Sequence, residues 1–303
     1  MTTFQGKARA KINLSLDILS RRADGYHDVR MIMQTVMLGD IVTIEKVSTP
    51  GIHLTSNNRY APANEKNIMY KIAKLMFDTF QLHNAGVKID LLKKIPVSSG
   101  LGGGSADGAV VLKGINKLFA LGCTEDQLAV LGKQVGADIP FCVYGGTMLA
   151  EGIGEKLTKL KPLPITPVLI VNPPLNISTR WVYNRLDVNA IPAELHPDHN
   201  ILLKAIQAGD VLTLAKNMKN VLEHVTHSRY PMIRHIKQVM RNMGAVGSMM
   251  SGSGPSVIGI FPDEEACRDC ARYFGKLEGF RSIFTNLYTK RTRPVAKPAN
   301  PTN

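Results

Sequence analysis

Pro96-Val-Ser-Ser-Gly-Leu-Gly-Gly-Gly-Ser-Ala-Asp-Gly-Ala109 decides the fold. Gly100, Gly102, Gly103 and Gly104 fall within five residues, with hydroxyls at Ser98, Ser99 and Ser105. Gly86 to Leu92 reads as an apolar strand before this stretch, and Ala106 to Phe119 as a helix directly after it. A glycine-dense turn feeding a helix N-terminus leaves several backbone N–H groups free to point at one anion. The pattern is not a Walker A loop, which needs a Lys-Ser/Thr pair where this chain has Ser105-Ala106. Nor is it a dinucleotide fingerprint, because position 105 is serine where the third glycine belongs. A flexible linker would be polar on both sides; this loop is bounded by apolar structure.

The 303-residue chain is long enough for two domains, with 44% hydrophobic and 20% charged residues, as in a soluble globular protein. No apolar run approaches the ~20 residues of a membrane span. The N-terminus lacks the order of a signal peptide, so the expected location is the cytoplasm. Cys267 and Cys270 have CxxC spacing but no second pair to complete a zinc site, so ordinary reduced thiols are expected. A formal net charge of +13 suits either nucleic acid or an anionic small molecule. No RNA-binding aromatic motif or Arg-rich repeat accompanies it, which argues against nucleic acid. Residues 291–303 read as a disordered, basic, Pro-rich tail.

Along the chain, strands are expected from Lys11 to Leu19, Val29 to Leu38 and Asp40 to Val47, with Asp24-Gly25 at the tip of a polar turn. Helices are expected over 67–80 and 125–135, the second capped by Thr124. Pro140 argues against continued helix, so Phe141 to Ala150 reads as a strand broken by Gly145-Gly146. A junction falls at Pro162 to Pro167. Beyond it come a strand at 168–172, a helix starting near Ser178 and helical stretches at 200–225 and 230–242. A glycine-serine loop at 247–254 leads to a strand at 257–261, a helix at 264–276 and a strand at 281–287. The mixture is α+β.

Three segments then coincide: Lys11-Ile-Asn13, Pro96 to Asp107, and Met250-Ser-Gly-Ser-Gly-Pro-Ser256. Together they resemble the three motifs of the GHMP small-molecule kinases over about residues 7–290. The resemblance implies a two-domain fold, with a ribosomal-protein-S5-domain-2-like unit over 1–161 and an α/β sandwich over 162–290. Arg22-Ala-Asp-Gly-Tyr-His27 and Gly136-Ala-Asp-Ile-Pro-Phe141 resemble the branch that phosphorylates the 2-hydroxyl of a cytidine-diphosphate-linked methylerythritol, in non-mevalonate isoprenoid biosynthesis.

The resemblance also implies a role for individual residues. It places the ATP phosphates on Pro96, Ser98, Ser99, Gly100, Leu101, Gly102, Gly103, Gly104, Ser105 and Ala106, with Asn67 toward the adenine. It makes Asp138 the catalytic base and Lys11 its cationic neighbour. It turns Asn13, Tyr26, His27, Asp138, Gly252 and Ser253 toward the substrate, and an aromatic wall comes from Tyr183 or its competitor Trp181. Local capping explains Asn67 equally well, and helix-end electrostatics explain Asp107 at least as well as a chemical role. Position 256 is serine where the family commonly has threonine, which keeps the hydroxyl. The helix after the glycine loop offers no clear carboxylate for Mg2+. The metal is then held by phosphates and water, with help from Ser105 or Asp138. His196-Pro-Asp-His199 sits in a proline-containing loop, a poor metal site. A monomer or weak homodimer is expected. The rivals are a kinase for another small alcohol, such as homoserine or mevalonate, and a basic nucleic-acid-binding protein.

Overall fold

The computed structural model describes residues 2–289. The tail at 291–303 lies outside the described residues. The first half supplies β1 (Thr3–Arg21), β2 (His27–Val47), β3 (Gly51–Ser56), α1 (Ile68–Thr79), β4 (Gly86–Leu92), α2 (Gly103–Leu118), α3 (Glu125–Lys133), α4 (Ile139–Tyr144), β5 (Thr147–Gly152) and β6 (Lys156–Lys159). These strands form one sheet in the order β3-β4-β2-β5-β6, with β1 also paired to β2. The second half supplies β7 (Pro167–Asn172), α5 (Thr179–Arg185), α6 (His199–Ala208), α7 (Val211–Lys216), α8 (Glu223–Arg229), α9 (Pro231–Asn242), β8 (Gly247–Met250), β9 (Val257–Ile260), α10 (Glu264–Gly275) and β10 (Arg281–Asn286). Its sheet runs β10-β7-β9-β8.

One core lies between the first sheet and α1 to α4, where Ile44, Val87 and Ile89 meet Ile72, Met76, Val111 and Ile115. A second core joins the two sheets: Ile12, Leu14, Ile32 and Val36 pack with Val168, Ile170, Met249 and Ile258. That shared apolar burial fixes the two halves against each other. No helix among the described residues is long and apolar enough to cross a membrane.

Several elements differ from the sequence expectation, each for a local reason. The two strands at 29–38 and 40–47 are one, β2. Gly39 sits inside it because a Cβ there would approach the carbonyl of Ala8 on β1 to 2.8 Å. The helix after the glycine loop begins at Gly103, not Ala106. Packing overrides propensity, since a Cβ on Gly103 would meet Lys93 Nζ at 2.9 Å and one on Gly104 would meet Ile68 at 3.1 Å. Phe141 to Tyr144 is helical, and the strand starts only at Thr147. Pro140 occupies the first turn of α4, where no N–H is required of it, and Gly145 at φ +65 ends the helix. The stretch 200–225 is three helices, broken at left-handed Gly209 and again at 217–222. Gly247 to Met250 is a strand rather than loop; its glycine is required because a Cβ would sit 1.9 Å from Ala215 O.

Behind the glycine loop lies a buried ionic cluster. Lys93 Nζ reaches Asp40 Oδ2 at 2.5 Å and Asp107 Oδ2 at 2.7 Å. Asp40 Oδ1 also accepts the backbone N–H groups of Lys94 at 2.5 Å and Ile95 at 2.8 Å. Asp107 is therefore no helix cap; it ties α2 to β2 and to the end of β4. Burial pushes its carboxyl up to about 7, with Asp40 adding to the rise and Lys93 opposing it. Removing Lys93 leaves two carboxylates without their cation. Lys93→Met should lower stability by roughly 3–5 kcal/mol at pH 7, measured by urea unfolding. The deficit should shrink as the pH falls and the Asp107 carboxyl takes up its proton; a deficit independent of pH would contradict this account.

Candidate active site

β1 carries the site, and its breaks in register shape it. The pairing of β1 with β2 shifts between Arg9 and Lys11. Lys11 N–H turns instead to Leu101 O at 2.9 Å, strapping the first glycine loop across the strand. Gly102 follows at φ +65 and caps α2; a Cβ there would strike Lys11 Cγ at 2.8 Å. The first N–H groups of α2, from Gly103 onward, have no partner within the helix. They form the anion-seeking end of a 16-residue dipole.

Lys11 is a buried cation in an apolar strand. Its Nζ donates to Asn13 Oδ1 at 3.0 Å and lies 3.7 Å from Asp138 Oδ2. Asp138 stands at the N-terminus of α4, and its side chain makes no capping bond. It lies between two helices, not between helix and strand. With 33% of its side chain exposed, its carboxylate faces the cleft while Lys11 is only 7% exposed.

The second glycine loop packs against the first, backbone to backbone. Ser251 Oγ donates to Gly100 O at 3.1 Å and accepts the Asn13 N–H at 3.4 Å. Ser256 N–H donates to Ser99 O at 3.2 Å. Ser256 Oγ donates to Asn172 Oδ1 at 3.1 Å, so the hydroxyl at this position has a structural partner. Asn220 Nδ2 donates to Met250 O at 2.9 Å and to Gly252 O at 2.8 Å, and Glu223 Oε1 accepts Met250 N–H at 2.7 Å. Lys237 pairs with Glu223 behind this loop.

A cleft of about 760 Å3 opens in front of these elements. It brings together Lys11, Tyr26, His27, Gly100, Gly102, Ser105, Asp138, Tyr183, Gly252 and Ser253. Asn13 lies beneath them, fully buried, with Nδ2 on Met31 Sδ at 3.3 Å. Tyr183 takes the aromatic position, its ring centre 5.3 Å from that of His27. Burial and the nearby Asp138 charge push its phenol up to about 12. Trp181 faces the other way, toward Tyr230. His27 is buried, and its Nε2 has no hydrogen-bond partner among the described residues. Burial, then the charge of Arg21, lowers its pKa from the usual 6.5, which keeps the ring neutral near neutral pH.

Other expected residues stand outside the cleft wall. Asn67 caps α1, accepting from Met69 N–H at 2.9 Å and donating to Pro62 O at 2.7 Å. Ser99 Oγ donates to Pro96 O at 2.7 Å, Ser98 bends the loop at φ +52, and Leu101 and Ala106 are buried. Gly103 and Gly104 form the first turn of α2. Sequence reasoning missed Thr179, Arg180 and Asn184, which line the cleft beside Tyr183. Their signal was helical spacing: Arg180, Tyr183 and Asn184 stand at i, i+3 and i+4. Thr179 Oγ1 lies 2.7 Å from Ser253 Oγ and pins the second loop to α5.

No group of three or more His, Cys, Asp or Glu among the described residues could hold a metal. His196 Nδ1 is 2.7 Å from Asp17 Oδ1 and His199 Nε2 is 3.3 Å from Ser15 Oγ, so each ring is already engaged. Cys267 and Cys270 are free thiols buried in α10. The cleft carries several oxygen donors, Asp24, Thr179 and Ser253 among them; Ser105 and Asp138 are the two beside the first glycine loop and Lys11, and they fit a metal carried in mainly by phosphates.

Residues 67–146 match the family model described as GHMP kinases N terminal domain, and residues 202–276 match GHMP kinases C terminal. The chain belongs to the GHMP kinases. It is an ATP-dependent small-molecule kinase with a two-domain α+β fold. A curated relative from Acetivibrio thermocellus, named 4-diphosphocytidyl-2-C-methyl-D-erythritol kinase, is 50% identical over 275 residues, 91% of this chain and 95% of the relative. One of the same name from Lachnospira eligens is 46% identical, covering 94% and 98% of the two chains. A crystal structure of 4-(cytidine 5'-diphospho)-2C-methyl-D-erythritol kinase superposes with TM-score 0.79 at 30% identity, over 94% of this chain and 99% of that one. A homoserine kinase from Cytophaga hutchinsonii, TM-score 0.76 at 21% identity over 95% of each chain, shares the fold.

Gly100 is a point where the two glycine loops tolerate little change. Its φ is +79, and a Cβ would lie 2.3 Å from Ser251 O. Gly100→Ala should cost at least about 1 kcal/mol of stability and raise the KM for ATP, because the two loops must part. Unchanged urea midpoint and unchanged KM would show that the loops do not depend on this contact.

Proposed function

We propose that this kinase transfers the terminal phosphoryl group of ATP to the 2-hydroxyl of 4-diphosphocytidyl-2-C-methyl-D-erythritol, giving the 2-phosphate and ADP in the non-mevalonate isoprenoid pathway. One observation carries the acceptor: a buried imidazole with an unpartnered Nε2 against Tyr183, in the same cleft as Asp138 and Lys11. A flat, hydrogen-bonding base suits that end, and a hydroxyl suits the other. The relatives named for this cytidyl alcohol support this choice.

The reaction is positioning plus charge neutralisation. The glycine loop and the N-terminus of α2 hold the ATP phosphates, with the Ser105 hydroxyl beside them. Asp138 accepts the proton of the acceptor hydroxyl as its oxygen bonds to phosphorus and ADP leaves. Lys11, 3.7 Å from Asp138, neutralises charge that develops during transfer; Asn13 orients Lys11. Ser105 and Asp138 would help hold an Mg2+ ion, which would supply charge neutralisation. His27 reads the cytosine by hydrogen bonds while Tyr183 and the exposed Tyr26 flank it. Arg180 supplies the cation for the substrate diphosphate. We assign residues 1–161 to the nucleotide-binding unit and 162–290 to the unit that completes the acceptor pocket. A cytoplasmic monomer or weak homodimer acting on this small molecule, without nucleic acid or membrane, fits the reading.

Asp138→Asn should lower kcat by about 10²–10⁴-fold while nucleotide affinity stays within a fewfold, checked by single-turnover assay and ATP titration. Retained turnover would remove Asp138 from the role of base. Turnover of homoserine or mevalonate in preference to the cytidyl alcohol would replace the acceptor assigned here. The KM for the cytidyl alcohol should stay flat through neutral pH and rise only below the usual histidine pKa, where His27 gains a proton and loses its free acceptor nitrogen. His27→Ala should abolish that rise, measured as a pH profile of KM.

A further inference from the structure

A second cleft, of about 480 Å3, lies between α5 and α8, away from the catalytic cleft. Its walls are Trp181 and Arg185 from α5, and His224 and Arg229 from α8. Trp181 is the single tryptophan of the chain. The Arg229 guanidinium lies 5.2 Å from the centre of its ring and that of Arg185 5.7 Å. Tyr230 meets the indole edge-on at 5.9 Å, and Arg229 also lies 5.8 Å from the Tyr230 ring. Aromatic faces thus hold two guanidiniums on the walls of one small cleft.

Neither cation is spent on a carboxylate among the described residues, where the arginine ion pairs involve Arg22, Arg30, Arg268 and Arg272. Asp187, on the rim, caps the backbone instead, its Oδ1 accepting Asn189 N–H at 3.1 Å. Two like charges fixed near one ring repel, and an anion seated between them relieves that repulsion. Guanidinium forks match phosphate oxygens in pairs, so two forks suit two linked phosphates.

We propose that this cleft is a second anion site, taking the diphosphate group of a small phosphorylated molecule, and that its occupancy is felt in the substrate pocket. Both walls serve that pocket from their other sides. α5 carries Tyr183 two residues beyond Trp181, and its Thr179 holds Ser253. α8 begins with Glu223, which holds Met250 N–H at the start of the second glycine loop. A diphosphate that draws Arg185 toward Arg229 therefore pulls on the aromatic wall and on the loop together. The coupling rests on the proposed kinase function; the binding does not.

Trp181 makes the cleft directly observable. Inorganic pyrophosphate is titrated into the full chain under tryptophan excitation, at fixed ionic strength and free magnesium. Saturating ADP keeps the first glycine loop occupied. The expected result is a saturable change in emission, weakened about tenfold or more in Arg229→Gln and in Arg185→Gln. Both arginines are exposed and outside the catalytic cleft, so thermal midpoints and basal kcat should stay near the native values. A linear response, or the same binding curve in both variants, overturns the site. At saturating ATP, bound pyrophosphate should change the KM for the cytidyl alcohol about fivefold in the native chain and not in Arg229→Gln. An unchanged native KM overturns the coupling. Were the acceptor another alcohol, the fluorescence titration would still stand, and the kinetic arm would be run on that alcohol.

Discussion

Backbone has to touch backbone where the two glycine loops meet over β1. Leu101 O takes the Lys11 N–H, Ser251 Oγ spans Gly100 O and Asn13 N–H, and Ser99 O takes the Ser256 N–H. No side chain fits between them: a Cβ on Gly100 would fall 2.3 Å from Ser251 O. The geometry of the cleft depends on this contact. It sets the N-terminus of α2 beside Lys11, and Lys11 beside Asp138. It also joins the halves of the molecule, since one loop belongs to each.

Two buried polar clusters support that contact from behind. Lys93 with Asp40 and Asp107 braces the first loop on both sides, because Asp40 takes the Lys94 and Ile95 N–H groups and Asp107 rides on α2. Asn220 and Glu223, with Lys237, brace the second. Buried ion clusters are weak sources of net stability. Here their effect is positional: charge-assisted bonds fix two turns that have few apolar side chains to pack. The cleft in front then presents a carboxylate beside Lys11, an imidazole nitrogen without a partner among the described residues, and a helix end.

Much of the site was legible in local sequence. The glycine loop, Lys11, Asp138, His27 and the Ser178 cap each carry a short-range signal, and the first four line one cleft, though Asp138 starts a helix where a strand was expected. Asn67 shows the limit, since a polar residue at a helix start reads alike as a cap or a ligand, and its hydrogen bonds here are those of a cap. Phe141 to Tyr144 shows another. An apolar run behind Ile-Pro looks extended until Pro140 is seen in the first turn of a helix. Gly103 and Gly104 read as loop because their propensity is poor. They form the first helical turn, where Lys93 and Ile68 crowd the space a side chain would take.

By itself the sequence determined the α+β class, the glycine-dense turn feeding a helix and, through three short motifs, the family. Those features rest on backbone freedom at glycine and on periodicity, which neighbouring residues display. The tertiary structure decided between Tyr183 and Trp181, turning one ring toward His27 and the other toward Tyr230. It also gave Asp107 its partner, brought Arg180 and Asn184 into the cleft, and enlisted Asn220 and Glu223 behind the second loop. These depend on contacts between residues far apart in the chain, whose distances follow from the packing of the two sheets rather than from any local pattern.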